Sequence, residues 1–143
     1  MVENLSCLVR SLILLENDSM QIEVSNSEIV DKFTILKIKE SKITEPQKLK
    51  NIRKEIELLQ PAMDKIGISN ISEQYRRLIM INSELWKVED EIREYEKLAR
   101  FDDNFISLAR AAYTFNDKRS IVKKEINTLT NSSLMEEKNH DLS

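Results

Sequence analysis

The sequence contains very few of the residues that break or tighten a polypeptide chain. One glycine and two prolines occur in 143 residues, whereas folds built on many tight turns use both residue types often. Charged residues make up 33% of the chain and apolar residues 41%, a balance that favours amphipathic helices over a disordered chain. The composition therefore predicts an all-α fold with a few long helices.

Cysteine and histidine are also nearly absent, with one residue of each type. Cys7 has no partner for an intrachain disulfide, and this predicts a reducing, cytoplasmic location. His140 lies in a polar tail, where a histidine is more often solvated than a metal ligand. No glycine-rich phosphate loop, zinc-ligand spacing or nucleophile elbow is present, so we expect neither a metal nor a cofactor.

The chain has no strong charge of one sign and no long apolar run. Its net charge is −3, and the basic pairs Arg76-Arg77 and Lys123-Lys124 are too short for a phosphate-binding surface. We expect these pairs to lie on solvated helix faces and predict no nucleic-acid partner. No apolar stretch is long enough to span a membrane.

The chain divides into three parts. Residues 1–19 are predicted to be an N-terminal extension with a short docking helix, because Leu5, Leu8, Leu12 and Leu15 have helical spacing. Residues 20–130 are predicted to form a helical bundle domain, with Met20 as an alternative start. Residues 131–143 are predicted to be a polar C-terminal tail.

Start and stop signals divide the bundle domain into four long helices. Ser25 and Glu28 form a capping box before the first helix, expected from Asn26 to Ile43. Pro46 fits the first turn of the second helix. Gly67 is expected to end that helix in a left-handed conformation.

Three further features concern the second to fourth helices. Pro61 lies inside the second helix and is expected to kink or split it. Asn70 is expected to cap the third helix. Asp102 is expected to cap the fourth helix, with Phe101 packing on Ile106.

Apolar residues recur at gaps of three and four in all four helices, which predicts a heptad-patterned bundle. Since the turn near residue 101 is short, the third and fourth helices are predicted to be antiparallel neighbours. The predicted buried stripes are Ile29, Phe33, Leu36 and Ile43; Leu49, Ile52, Ile56, Leu59, Met63 and Ile66; Ile71, Tyr75, Leu78, Ile81, Leu85, Val88, Ile92, Tyr95 and Ala99; and Phe105, Leu108, Ala112, Phe115, Val122, Ile126 and Leu129.

One charged residue interrupts the apolar seam of the fourth helix. Arg119 stands between Phe115 and Val122, and charged side chains are seldom buried without a partner. An antiparallel hairpin brings polar residues of the third helix opposite this region, which predicts a polar band between the two helices. Its guanidinium groups suit phosphate or carboxylate, and its tryptophan suits a stacked ring. The candidate ligand-binding residues are Trp86, Glu89, Arg93, Arg110, Tyr113, Asn116, Asp117 and Arg119.

The same band has other interpretations. Glu89 and Arg93 are spaced as an ordinary ion pair on one helix, and a polar layer in a bundle often sets register or partner choice. Acidic residues of the third helix partly resemble those of helical nucleotide pyrophosphatases, but the fourth helix offers only Asp117. Because no histidine joins these carboxylates, metal binding through Glu89, Asp90 and Asp117 is the weaker hypothesis.

Three segments carry a family resemblance: Val30–Lys39, Leu85–Arg93 and Tyr113–Arg119. They resemble the signatures of an uncharacterised family of small helical bacterial and phage proteins, and the likeness covers about Met20 to Lys138. The resemblance implies no established activity. It does imply a link to surface-glycan synthesis, because some members lie near such genes.

Our leading hypothesis from the sequence is a non-catalytic helical-bundle interaction or scaffold module with a protein partner or self-association. The alternative is a small enzyme or binding protein that uses the polar band. Its ligand would be a nucleotide, a sugar nucleotide or another phosphorylated, anionic molecule. Whether the protein is an enzyme stays open.

Overall fold

The computed structural model describes residues 19–139. Within this range the chain forms four α-helices and no strand: α1 (Asn26–Lys42), α2 (Pro46–Ile66), α3 (Glu73–Lys97) and α4 (Asp103–Leu129). The predicted all-α bundle of four long helices is confirmed. The predicted docking helix near the N-terminus, as well as Cys7 and His140, lie outside the described residues.

Local signals in the sequence set most helix ends. The Ser25 hydroxyl accepts the backbone N–H of Glu28 at the start of α1, at 3.4 Å. Pro46 begins α2, and Gly67 ends it with a φ of 79°. Asp102 caps α4 by accepting the backbone N–H groups of its first turn. These features confirm the predicted caps of α1, α2 and α4, which depend on residues close together in the chain, whereas the N-cap of α3 is Ser72 and not the predicted Asn70.

Two details of α2 and α3 bear on the predictions. Of the two outcomes expected at Pro61, a kink or a split, the split does not occur, because α2 is continuous from Pro46 to Ile66. Both Pro61 and Glu57 are exposed, so water can bond the carbonyl that loses its donor. Helix α3 begins after Ser72, later than expected, and Ile71 is 76% exposed in the preceding turn instead of buried.

The α3–α4 turn also differs from the prediction. Phe101 packs edge-on against Phe105, with ring centroids 5.2 Å apart, and Ile106 is 52% exposed. Ala99 lies beyond the end of α3 with a φ of 50° and does not continue its stripe. Leu129, in the last turn of α4, is exposed instead of buried.

Helix α1 contacts each of the other three helices, and α3 lies beside α4. The α3–α4 hairpin is antiparallel, because Arg77 near the start of α3 pairs with Glu125 near the end of α4. One apolar core joins all four helices and the α2–α3 turn. Its buried residues are Val30, Phe33, Met63, Ile68, Tyr75, Leu78, Ile81, Leu85, Val122 and Ile126.

The core stops half-way along the hairpin. Between Val88 and Asp117 no residue is buried, although α3 has 25 residues and α4 has 27. The shorter α1, with 17 residues, therefore covers only the half of the hairpin that is remote from its turn. We call residues 89–116 the hairpin arm. No helix in residues 19–139 is both long and apolar enough to cross a membrane.

Candidate functional site

An open cavity of about 370 Å³ lies between α1, α3 and α4, at the base of the hairpin arm. Ile35, Ile38 and Leu85 supply its apolar lining. Its other lining residues are polar or aromatic, and they come from α3 and α4: Asn82, Trp86, Glu89, Asp90, Arg93, Asn116 and Arg119. The site therefore combines an apolar surface with several hydrogen-bonding groups, which is typical of small-molecule pockets.

A buried carboxylate from α1 holds Arg119 in place. Asp31 is only 3% exposed. The Nε group of Arg119 donates to its Oδ1 atom at 2.9 Å, and Nη2 donates to Oδ2. This two-point contact fixes the plane of the guanidinium as well as its position. The anionic partner that Arg119 needs in the apolar seam of α4 is thus Asp31, which lies on α1.

Two further side chains complete a polar network around Asp31. Asn82 donates through Nδ2 to Asp31 Oδ1 at 2.9 Å and to Thr34 Oγ1 at 3.0 Å. The Thr34 hydroxyl donates to the backbone carbonyl of Asp31 at 2.7 Å. These four residues, Asp31, Thr34, Asn82 and Arg119, are called the Asp31 network below. It connects α1, α3 and α4 directly beside the cavity, so it holds the cavity wall rigid.

The outer edge of the Arg119 guanidinium remains accessible. Its side chain is 28% exposed, and its Nη1 atom lies 3.5 Å from Asn116 Oδ1, the long limit for a hydrogen bond. Hydrogen bonding to Asp31 raises the pKa of Arg119, while burial acts in the opposite direction. The group is therefore a fixed cation with one edge available to a ligand.

The cavity has no excess of positive charge. Arg93 pairs with Glu89 at 3.3 Å on the exposed surface of α3, as the spacing of these two residues predicts. Arg119 pairs with Asp31, and Asp90 adds a third carboxylate to the site. A ligand of high negative charge would therefore meet three carboxylates and only two guanidinium groups.

Comparison with protein families identifies the family of this chain. A model of a family of unknown function, DUF6165, matches residues 20–143. The chain belongs to the DUF6165 family. Comparisons with curated proteins and with solved structures gave no match. All residues of the cavity and of the Asp31 network lie within the part of the chain that matches DUF6165.

The structure separates the eight predicted site residues of this DUF6165 chain into two groups. Trp86, Glu89, Arg93, Asn116 and Arg119 line the cavity, whereas Arg110, Tyr113 and Asp117 do not. Arg110 and Tyr113 are exposed on the hairpin arm, and Asp117 is buried. The assumption of an antiparallel hairpin predicts only how far along the hairpin axis a residue lies. Which surface its side chain reaches depends on its angular position around the helix.

Sequence reasoning missed the α1 side of this DUF6165 site. Asp31 and Thr34 lie on one face of α1 together with the buried residues Ser27 and Ile38. A carboxylate at helical spacing among residues that will be buried predicts a cationic partner elsewhere. Asp31 also belongs to the first motif of the family resemblance, so the signal was present in the sequence.

A second polar cluster lies at the opposite end of α1. Lys123 is buried and bonds through Nζ to Glu28, and to Glu136 at 2.9 Å. Asn127 accepts the backbone N–H of Ser27 at 2.8 Å. We call these five residues the Lys123 cluster. The prediction that Lys123 lies on a solvated face was wrong, because the start of α1 and the tail after α4 cover it.

The Lys123 cluster is held in its charged form. Burial lowers the pKa of Lys123, but hydrogen bonds to Glu28 and Glu136 outweigh this effect, so the pKa is raised overall. The hydrogen bond from Lys123 lowers the pKa of Glu136. The cluster therefore fastens the start of α1 and the C-terminal tail to α4 at neutral pH.

The described part of the chain offers no candidate metal centre. No three acidic, histidine or cysteine side chains in residues 19–139 are grouped so that they could hold an ion. The carboxylates Glu89 and Asp90 line the cavity, but Asp117 does not join them there. The hypothesis of a magnesium-dependent phosphohydrolase therefore lacks a ligand set in this range.

Proposed function

We propose that this protein binds a small polyhydroxylated ligand, such as the sugar part of a sugar nucleotide or sugar phosphate, in the cavity between α1, α3 and α4. The observation that carries the proposal is the position of Arg119. Its guanidinium is fixed from behind by buried Asp31, and its outer edge faces the cavity beside Asn116. Prior fixation of a polar group lowers the entropy lost on binding.

The chemistry of the lining supports a sugar. Hydroxyl groups both donate and accept hydrogen bonds, and the cavity offers both functions through Asn116, Arg119, Glu89 and Asp90. Trp86 is half-buried in the lining and provides an aromatic surface for the apolar face of a ring. The volume of about 370 Å³ lies near the lower end of the range for small-molecule sites.

The balance of charge favours the sugar over the phosphate as the deeper part of the ligand. Arg119 is already neutralised by Asp31, whereas Arg93 is more exposed and bonds to Glu89 through a single 3.3 Å contact. A phosphate group would therefore lie beside Arg93, because displacing an exposed pair loses little energy. The buried Asp31 network would stay intact.

Thermal melting with a ligand panel tests this proposal. The panel contains free hexoses, hexose phosphates, nucleoside diphosphate hexoses and nucleoside diphosphates without an attached hexose. Members that contain a hexose are expected to raise the melting temperature, since binding at 100 times Kd stabilises a protein by about 2.7 kcal/mol. Nucleoside diphosphates without the hexose should have little effect. If no member of the panel raises the melting temperature, the proposal is wrong.

Matched variants locate the site. Asn116→Ala and Trp86→Ala should abolish the ligand-induced shift, because both side chains line the cavity. Arg77→Lys is the control, because Arg77 lies on the same hairpin, at the α3–α4 contact, but outside this cavity. A shift that persists in both cavity variants would place the ligand elsewhere.

The second candidate is the interaction module predicted from the sequence. The hairpin arm favours it, because large apolar side chains remain exposed there, among them Ile106 and Tyr113. Both candidates are proposed for the cytoplasm, on the evidence of the lone Cys7. A link to surface-glycan synthesis, which the family resemblance implies, belongs to this second candidate.

A further inference from the structure

The charged side chains at the cavity do not balance one another. Arg93 and Arg119 contribute two guanidinium groups to the lining, and Glu89 and Asp90 contribute two carboxylates. The carboxylate of Asp31, which bonds to Arg119 directly behind the lining, is a third. Three negative charges thus stand against two positive ones. Because the charge of a cleft selects the charge of the molecules that it concentrates, this cavity favours a ligand that carries a positive group.

Asp90 is the residue that accounts for the excess negative charge. Arg119 is already paired with Asp31, and Arg93 is paired with Glu89. Within residues 19–139, no side chain forms an ion pair or a hydrogen bond with Asp90. Asp90 therefore lines a cavity in which every other charged group has a partner, and its carboxylate is available to a cation.

Three cavity residues follow one stripe of α3 in the order aromatic ring, anion and cation. Asp90 lies four residues after Trp86 and three residues before Arg93, and side chains at these spacings are neighbours on a helix. At 1.5 Å per residue, the three positions are separated by about 6 Å and about 4.5 Å along the helix axis. A ligand whose ring packs on Trp86 therefore brings its substituents to Asp90, with Arg93 one turn further on.

A sugar hydroxyl can donate to Asp90, but a protonated amine fits the charge of the cavity better. An ammonium group has three donors and no acceptor, and its hydrogen bonds to a carboxylate are about twice as strong as those between neutral groups. It also cancels the excess negative charge, which a neutral hydroxyl leaves in place. An N-acylated amine is uncharged and gives neither advantage.

We propose that the sugar bound in the cavity is an amino sugar whose free, protonated amine is held by Asp90. This inference rests on the proposed function, because it assigns a charge to the ligand of the same cavity. Arg93 remains the place for a phosphate group, so the preferred ligand carries an amine and a phosphate on one sugar. Asp90 is then the residue that distinguishes amino sugars from other sugars.

The preference for an amino sugar is expected to be moderate. Asp90 is exposed, and water weakens an ion pair at such a position. We expect an amino sugar to bind about fivefold more tightly than the sugar with a hydroxyl at the same carbon, which is the upper end for an exposed pair. The N-acetylated sugar should lose this advantage, because its nitrogen carries no charge.

Isothermal titration calorimetry with matched probes tests the inference. The probes are the 6-phosphates of glucose, glucosamine and N-acetylglucosamine, and the same three compounds of the galactose series. Within a series the members differ only in the substituent at the second carbon, so the ring and the phosphate stay the same. In the series that binds, the wild type is expected to bind the amine member about fivefold more tightly than the other two.

Two variants show whether Asp90 causes the preference. Asp90→Asn removes the charge at nearly constant volume, so the amine and hydroxyl members should bind this variant with equal affinity. Glu91→Gln is the matched control, because Glu91 is a neighbouring exposed carboxylate that does not line the cavity. That variant should keep the preference for the amine. Both variants should keep the helical circular dichroism of the wild type, because both positions are exposed.

Three outcomes with bound probes overturn the inference. The first is a wild type that binds the hydroxyl member as tightly as the amine member, in which case the sugar site itself still stands. The second is an Asp90→Asn variant that keeps the preference. The third is a Glu91→Gln variant that loses it equally, because the overall acidity of α3 would then be the cause. If no probe binds, the inference is also wrong, and the melting panel decides separately whether the proposed function holds.

Discussion

The Asp31 network and the Lys123 cluster both connect α1 to α4 through ion pairs, but they bury opposite members of the pair. The Asp31 side chain is 4% exposed and its partner Arg119 is 28% exposed. The Lys123 side chain is 11% exposed, whereas Glu28 and Glu136 are 43% and 51% exposed. One site therefore encloses an anion and the other a cation.

The surroundings of the more exposed member of each ion pair indicate the role of that site. Arg119 faces a cavity with hydrogen-bonding walls, so its outer edge can serve a ligand. Glu28 and Glu136 lie where the start of α1 and the segment after α4 meet Lys123, so they clamp these two segments to α4. Similar ion pairs thus have different roles because their surroundings differ. Substitutions at the two sites should therefore have different effects on the stability of the fold.

The largest effect is expected for Asp31→Ala. This change leaves Arg119 partly buried without its counter-charge and removes one of the two acceptors of Asn82. Breaking a buried pair on one side costs about 3–5 kcal/mol. Chemical denaturation of the variant measures the loss in the free energy of unfolding.

A double variant checks the cause of that loss. Asp31→Ala combined with Arg119→Met removes the uncompensated charge, so it should be more stable than Asp31→Ala alone. A loss of less than about 1 kcal/mol for Asp31→Ala would mean that the network is no stronger than a surface ion pair.

A smaller effect is expected for Lys123→Met. The methionine keeps most of the buried volume, and the carboxylates of Glu28 and Glu136 that lose their partner remain accessible to water. We therefore expect a loss of about 1.5–3 kcal/mol, the value of a single hydrogen bond to a charged group. If Lys123→Met destabilises the fold as much as Asp31→Ala does, the contrast between the two sites is not valid.

The helix positions and their caps could be predicted because they depend on residues close in the chain. Ser25, Gly67 and Asp102 each act within a few residues of the helix end. The cavity could be predicted only in part. The sequence identifies Arg119 as a charged residue in an apolar seam. The predicted α3–α4 hairpin shows how far along the hairpin Arg119 lies and which α3 residues lie opposite it.

The partner of Arg119 and the burial of Lys123 could not be found in the same way. Asp31 lies 88 residues before Arg119, and Glu28 lies 95 residues before Lys123. These pairings depend on how α1 is rotated and placed against the hairpin, which a heptad pattern does not determine. The tail residue Glu136 covers Lys123 from outside the regular helices, where no periodic signal exists.

Acid should affect the Lys123 cluster moderately. The pKa of Glu136 is lowered from its ordinary value of 4.5 by the hydrogen bond from Lys123. Its contribution to stability is therefore present above pH 4.5 and is lost as the pH falls through the lowered pKa. Melting temperatures between pH 2 and pH 6 should fall more steeply for the wild type than for Glu136→Gln. Parallel curves for the two proteins would show that the clamp does not stabilise the fold.

The smallest effect is expected at the ion pair between Arg77 and Glu125, which joins α3 to α4 outside both polar sites. Arg77 donates to both carboxylate oxygens of Glu125, at 2.5 and 3.2 Å, but both side chains are more than one third exposed. Exposed pairs contribute about 0.2–1 kcal/mol. We therefore expect Glu125→Gln to change the free energy of unfolding by less than 1 kcal/mol, and high salt to remove the difference from the wild type. The same salt should leave most of the Asp31→Ala loss unchanged, since a buried pair is poorly screened. A salt-sensitive Asp31→Ala loss would place both pairs in the same class and remove the physical basis for treating Arg119 as a fixed, ligand-facing group.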